Sequence, residues 1–409
     1  MTTQLPKYAI ASPVAQFSST MSQRPIYLDN HATTPIDERV LAAMLPYFRE
    51  HFGNPASINH IYGWEAEAAV KQSRQAIADA INASPEEIVF TSGATEANNL
   101  AVKGIAEAYC NKGRHIITVA TEHNAVLDPC HYLEKLGFEI TFLPVQSDGL
   151  IDLGNLARCI RADTILVSVM AANNEIGVIQ PIGEIAAICR GADVFFHTDA
   201  AQAIGKIPLD VEALKIDLMS LTAHKIYGPK GIGALYVRRR NPRVQLAAQM
   251  HGGGHERGMR SGTLYTPQIV GFAKAVELAI SEMDSEVERV TNLRQRLWDY
   301  LSPLGDIVIN GHPIHRLPGN LNISVDGVDG QALLLGVQPV VAVSSGSACT
   351  SAKIAPSHVL EAIGRSHQLA YASLRFGIGR FNTVEEIDTV AKHCVATIQS
   401  LRKVAVAEV

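Results

Sequence analysis

Asp193-Val194-Phe195-Phe196-His197-Thr198-Asp199 and, further on, Asp217-Leu218-Met219-Ser220-Leu221-Thr222-Ala223-His224-Lys225 read alike: an apolar run of strand length that ends in residues able to do chemistry. The runs Ile88–Thr91, His115–Ala120, Glu139–Val145 and Thr164–Ala171 repeat the pattern upstream, and Gly233–Val237 closes it. Between most of them lie stretches of helical periodicity, such as Ala125–Leu136 and Ile182–Cys189. Strands separated by such helices imply right-handed crossovers and a largely parallel sheet with both faces covered. The fold class is therefore α/β: a large domain on a mostly parallel seven-stranded sheet, then a smaller C-terminal α/β domain opened by a long charged helix pattern. The expected partition is a tail over 1–24, a large domain over 25–275 whose first residues pack on the small one, and a small domain over 276–409.

Composition agrees with two packed lobes. The chain has 409 residues, 47% of them hydrophobic and 18% charged, enough apolar surface for large cores. The net charge of −5 gives no electrostatic reason to expect nucleic acid or a membrane surface as partner. The long uncharged run Gln331–Ala352 contains Gly336, Pro339 and Gly346 and ends in a Ser-rich cluster, so it does not read as a membrane span. The six cysteines show no CxxC pair, which suits a reducing compartment and places the protein in the cytoplasm. Five of them (Cys110, Cys130, Cys159, Cys189, Cys394) fall in helical patterns and read as buried free thiols. Residues 1–24 are rich in Ser and Thr and lack acids; organellar targeting is the alternative to an unstructured extension there.

Polar residues cluster just after the strands, in Thr91-Ser92-Gly93-Ala94-Thr95, Thr121-Glu122-His123, Asn173-Asn174-Glu175, His197-Thr198-Asp199 and Thr222-Ala223-His224-Lys225. Open α/β sheets bind ligands outside the carboxyl ends of their strands, and five strand ends agreeing says more than any one motif. Ser92-Gly93-Ala94-Thr95 opens a helix, where free N–H groups and small hydroxyls make a phosphate cradle. Helix capping alone would also use Ser92 or Thr95, and the order GxxxxGK[ST] of a nucleoside triphosphate loop is missing. Lys225 follows an apolar strand; desolvation there lowers an amine's pKa and favours imine chemistry, whereas an exposed loop lysine would need no such explanation. Asp199 tips the balance. A carboxylate ending so apolar a run needs a partner, and a pyridinium nitrogen supplies one.

These motifs, with Phe52-Gly53-Asn54-Pro55-Ala56-Ser57, Asn173-Asn174-Glu175-Ile176-Gly177, His224-Lys225-Ile226-Tyr227-Gly228-Pro229, Arg257-Gly258-Met259-Arg260-Ser261-Gly262-Thr263 and Ser347-Ala348-Cys349-Thr350-Ser351, resemble the IscS/NifS-type cysteine desulfurases. Those are class-V members of the fold-type-I pyridoxal-phosphate enzymes, and the likeness runs from Tyr27-Leu28-Asp29 to about Asp388. The resemblance implies pyridoxal 5'-phosphate held through an imine on Lys225, its phosphate bound by Ala94, Thr95, Thr222 and His224, with Thr263 contributed by the other subunit of a homodimer. It also implies His123 stacked on the ring and serving as an acid/base, Asp199 on the ring nitrogen, Asn174 and Gln202 on the ring's oxygen side, and the substrate bound by Arg375, on its carboxylate, and by Asn174. Cys349, in a small and polar loop over 344–352, would take the sulfur of L-cysteine as a persulfide, leave L-alanine, and carry the sulfur to an acceptor such as an iron–sulfur scaffold protein.

Thr222 stands where a serine is usual, and its hydroxyl can still donate. The chain also ends soon after Leu401, without the longer tail by which some members grip a scaffold, so the acceptor's docking mode does not carry over. Two other readings compete. An aminotransferase or selenocysteine lyase would keep Lys225 and Asp199 without needing Cys349 for turnover, and a non-catalytic iron–sulfur scaffold would use Cys349 as a ligand, though one thiol is a poor cluster site.

Overall fold

The computed structural model describes residues 24–345, 347–348 and 355–407. Its centre is a seven-stranded sheet of β1 (Ile88–Thr91), β2 (His115–Val119), β3 (Glu139–Leu143), β4 (Thr164–Ser168), β5 (Phe195–Asp199), β6 (Leu218–Thr222) and β7 (Gly233–Val237), in the order β1-β7-β6-β5-β4-β2-β3. Except for β3 at one edge, the strands are buried along their whole length, which is why they read as continuous apolar runs without alternation. Pairing is parallel everywhere except at β7, antiparallel to both β1 and β6. The reason lies in the short stretch after Lys225, which turns the chain straight back instead of sending it through a crossover helix.

That return is tight. A Cβ on Gly233 would lie 2.4 Å from the Leu221 carbonyl oxygen and 2.8 Å from the Gly93 Cα. Gly93 itself has φ 149°, a conformation that L side chains rarely adopt, and from it helix α1 (Ala94–Tyr109) springs. The start of α1 and the end of β6 are thereby packed against each other at one end of the sheet.

β1 is an edge strand, and side chains cover its open side. The Phe90 N–H donates to Glu256 Oε2 (2.7 Å), while the Ile88 carbonyl accepts from Arg74 Nη1 (2.7 Å) and Arg257 Nη2 (2.6 Å). Arg74 pairs with Glu256 at 2.6 Å, so two of these three charges compensate each other as they satisfy the strand.

The second lobe is built on an antiparallel sheet of β8 (Ile307–Ile309), β9 (Asn320–Val325), β10 (Ser344–Ser345) and β11 (Ser373–Gly377), in the order β10-β11-β9-β8. Two long helices, α2 (Met283–Leu301) and α3 (Val384–Ala407), lay Leu293, Leu297, Ile387 and Val390 against Ile323, Leu374 and Phe376 of that sheet. Leu28 is buried in this core as well, and Ile26–Tyr27 pairs in parallel with Val341–Ala342. The preceding helix, Thr266–Ser281, instead buries Ile269, Phe272, Val276 and Ala279 in the core of the large lobe.

Candidate active site

A cavity of about 520 Å³ opens at the carboxyl ends of the sheet strands. Nine residues singled out in the sequence line it: Ala94, Thr95, His123, Asn174, Asp199, Gln202, Thr222, His224 and Lys225. They arrive from β1, β2, β4, β5 and β6 because each strand stops at the same level and hands the chain to a helix or turn.

Lys225 donates from Nζ to the His31 carbonyl (2.7 Å). Burial and, next, the charge of Arg375 push its amine down to about 8, with Asp199 and Asp29 opposing. Asp199 is only 5% exposed. Its Oδ2 accepts from Asn98 Nδ2 (2.6 Å) and its Oδ1 from the Ala201 N–H (2.9 Å), which fixes the carboxylate plane. Asn98 was not singled out in the sequence. The available signal was an amide inside the buried stripe of α1, where apolar side chains otherwise stand.

His123 caps the helix Asn124–Glu134, with Nδ1 accepting the Ala125 N–H at 3.0 Å. That bond assigns the proton of the neutral ring to Nε2. Burial lowers the pKa of His123, and Asp199 opposes. His224 pairs through Nδ1 with Thr33 Oγ1 (3.1 Å) and is pushed down to about 4, chiefly by burial and then by Lys225. Glu122, the residue before His123, is fully buried, accepts the Met170 N–H at 2.6 Å, and has its pKa raised well above the usual value by burial.

Arg375 stands on β11 at the border of a neighbouring cavity of about 510 Å³ that shares His123 and Asn174 with the first. Its Nη1 donates to the Asn174 carbonyl (3.0 Å), and its Nη2 to Asp29 Oδ1 and Ser344 Oγ (both 2.8 Å). The buried Nε has no partner among the described residues. Asp29 and Ser344, which set this guanidinium, carried no sequence signal of their own.

Thr263 is exposed and does not line the main cavity of its own chain. Cys349 lies outside the described residues, as does most of the loop expected over 344–352. Of the five other cysteines, Cys130, Cys189 and Cys394 are buried, and burial pushes each thiol up to about 12. Cys110 and Cys159 are only half-buried, because Cys110 caps the end of α1 and Cys159 ends a short helix near the surface.

The residues present fit pyridoxal 5'-phosphate. The Thr222 hydroxyl is buried without a partner among the described residues, beside the free N–H groups at the start of α1, so a phosphate would satisfy both. Asp199 offers a fixed anion to a ring nitrogen, and Lys225 a desolvated amine to an aldehyde.

Comparison with known proteins agrees with this geometry. The class-V aminotransferase family profile matches residues 26–390. A protein of Anaeromyxobacter sp. named cysteine desulfurase IscS is 58% identical over 382 residues, covering 93% of this chain and 94% of its own. The human protein named cysteine desulfurase is 55% identical over 383 residues, 93% of this chain and 83% of its own. Among solved structures, a NifS-like protein superimposes with a TM-score of 0.85 at 38% identity, over 92% of this chain and all of its own. SspA, solved in complex with cysteine, gives a TM-score of 0.78 at 37% identity, over 88% of this chain and all of its own. The strand-end constellation thus sits on a chain that belongs, over nearly its whole length, to the class-V aminotransferase family and its cysteine desulfurase branch.

Proposed function

We propose that the protein is a pyridoxal-phosphate-dependent cysteine desulfurase, converting L-cysteine to L-alanine with the sulfur passing to Cys349. The observation that carries this reading is the meeting of Lys225, Asp199 and His123 in one cavity, with Arg375 lining the adjoining cavity that shares His123 and Asn174. Ala94, Thr95, Thr222 and His224 would hold the coenzyme's phosphate, Asp199 its ring nitrogen, and Asn174 and Gln202 its oxygen side. When bound, pyridoxal phosphate supplies an electron sink that weakens the bonds at the substrate's α- and β-carbons.

The chain's own groups supply the rest. The Arg375 Nε, buried and unpartnered, has a donor left for the substrate carboxylate after Asp29 and Ser344 have taken Nη2. Lys225, with its amine near 8, can take the α-proton and return a proton to carbon at neutral pH. His123, carrying its proton on Nε2, would move a proton at the substrate thiol. The Cys349 thiolate then bonds to the substrate sulfur as the sulfur–carbon bond breaks, leaving a persulfide on the enzyme and, after proton return, alanine. The test is purified protein with cysteine and a reductant. Sulfide and alanine should appear in equal amounts, and mass spectrometry after a cysteine pulse should find the added sulfur on Cys349. Alanine without sulfide, or sulfur on another cysteine, would overturn the reading.

We infer that the working form is a homodimer. Leu45, Phe48, Phe52, Ile58, Ile61, Trp64 and Tyr265 are each about half exposed or more, and the rings of Phe48 and Tyr265 lie 6.2 Å apart, an apolar surface of the kind that marks an interface. Thr263 lies next to Tyr265 and would reach the partner's phosphate site. Sedimentation should give a dimer, and an active monomer would refute this. The sulfur acceptor is a protein of the iron–sulfur scaffold kind, and the setting the cytoplasm, where free thiols persist. Among the described residues no helix is long and apolar enough to cross a membrane.

A further inference from the structure

A phosphate monoester carries a charge of about −1.5 to −2 at neutral pH, yet the groups proposed to hold the coenzyme's phosphate are almost all neutral. The start of α1 offers the partial charge of a helix N-terminus, about +0.5. Thr95 and Thr222 offer hydroxyls, and His224, pushed down to about 4, is uncharged at neutral pH. Lys225 is committed to the aldehyde. Of the other charged side chains lining the cavity, Asp199 is held by Asn98 and the Ala201 N–H, and Glu96 pairs with Arg260 at 2.7 Å. Among the described residues of the lining, that leaves Lys230 as the uncommitted cation.

The fold fixes where Lys230 stands. The return from β6 to β7 is closed by the Ala223 N–H, which donates to the Ile232 carbonyl (3.2 Å). Gln268 Nε2 donates to the Lys230 carbonyl (2.9 Å), anchoring the turn from the helix Thr266–Ser281. Gly231, next in the chain, has φ 82° and lines the same cavity. Two residues further on, Gly233 packs on Gly93, from which α1 springs. The turn bearing Lys230 therefore lies against the phosphate cradle. Lys230 itself is exposed, and among the described residues it pairs with no carboxylate. Its charge is felt at His224, whose pKa it lowers after burial and Lys225.

We propose that Lys230 is a coenzyme-binding residue, supplying the counter-charge for the phosphate at Ala94, Thr95, Thr222 and His224. The proposal rests on the phosphate placement given above. Lysine suits this place, because a compact charge on a flexible stem can follow an anion without a fixed geometry. An exposed cation also draws the anion in from solvent, and salt screens it.

The experiment titrates the full chain, stripped of coenzyme, with pyridoxal 5'-phosphate and separately with pyridoxal, which lacks the phosphate. Binding is read from the absorbance of the link to Lys225, at low and at high salt. Lys230→Met and Lys230→Gln remove the charge, and Lys230→Arg keeps it. The neutral variants should bind pyridoxal 5'-phosphate about fivefold more weakly at low salt, the upper scale of an exposed ion pair. That loss should shrink at high salt, pyridoxal should bind unchanged, and the Arg variant should match wild type for both ligands. Equal losses for both ligands would reduce Lys230 to packing, and no loss for either would remove it from the site. An Arg variant as weak as the neutral ones would show that charge is not what matters; each of these results overturns the proposal. Thr222→Val checks the placement itself, since it should weaken binding of the phosphate form alone. If it does not, the placement fails; if it does while the neutral Lys230 variants do not, the Lys230 proposal fails alone.

Discussion

The two sides of the proposed active site, one for coenzyme and one for substrate, are built differently. The coenzyme side is one sheet: Asp199, Thr222 and Lys225 ride on or just beyond adjacent buried strands, and Asp199 is locked by two hydrogen bonds from within the same lobe. The substrate side is a junction. Arg375 comes from the small lobe, and its partners are Asn174 of the large lobe, Asp29 of the N-terminal segment, and Ser344 of another small-lobe strand. A single sheet sets its side chains by register, whereas a junction sets them by how separate pieces of chain meet. Changes on the sheet side should therefore strike chemistry, and changes at the junction should strike binding.

The largest expected effect is on the sheet side. Lys225→Ala should lose the borohydride-reducible link to the coenzyme, with activity falling about 10³-fold, within the range for removing a positioned acid/base. Retention of the same reducible link in absorbance spectra would break the comparison at its root. Asp199→Asn should still bind coenzyme while slowing cysteine turnover about 10²- to 10³-fold, the scale for losing one preorganised electrostatic partner. The measurement is kcat at saturating cysteine, and an unchanged kcat would count against it.

At the junction, Arg375→Lys should lower kcat/KM about 10- to 100-fold, as expected for a lost charge-assisted hydrogen bond. Most of that should appear in KM. A pure kcat effect would mean that the junction acts on chemistry after all.

The smallest effect concerns stability. His197, buried between Ser168 Oγ (2.8 Å) and Ser220 Oγ (3.0 Å), is pushed by burial from 6.5 down to about 3. Its folded pKa lies below its unfolded one, so the unfolded chain binds more protons between those values and stability is lost as pH falls through 6.5. The slope it adds is at most about 1.4 kcal/mol per pH unit. Urea unfolding of the coenzyme-free protein on either side of that pH should show a shallower loss in His197→Asn, and identical slopes would remove His197 as the cause.

The sheet side was the legible side. Long apolar runs ending in Asp199 and Lys225 announce both the strand and the residue it presents, because burial on two faces erases alternation and leaves the polar end conspicuous. The direction of β7 was not legible, since a fully buried run looks the same in either orientation and only the short turn after Lys225 decides it. The junction was hidden for another reason. Asp29 and Ser344 lie far from Arg375 in sequence, in segments with no periodicity, and only the meeting of the lobes makes them neighbours.

The guarded edge of β1 bears on how the protein is made. Both sides of that strand are completed by chain that leaves the ribosome much later, β7 on one side and Glu256 with Arg257 on the other. The delay of about 140 residues between Thr91 and Gly233 corresponds to roughly 7–28 s at ordinary elongation rates. During that time the strand that will present the phosphate cradle has neither its sheet neighbour nor the Glu256 and Arg257 part of its charged cover, and an apolar segment with free backbone groups is what chaperones bind and aggregates recruit. The nascent chain should accordingly be most vulnerable while the middle of the sheet is being translated, and slowing translation between β1 and β7 should lower the yield of soluble protein more than slowing it anywhere after Arg257.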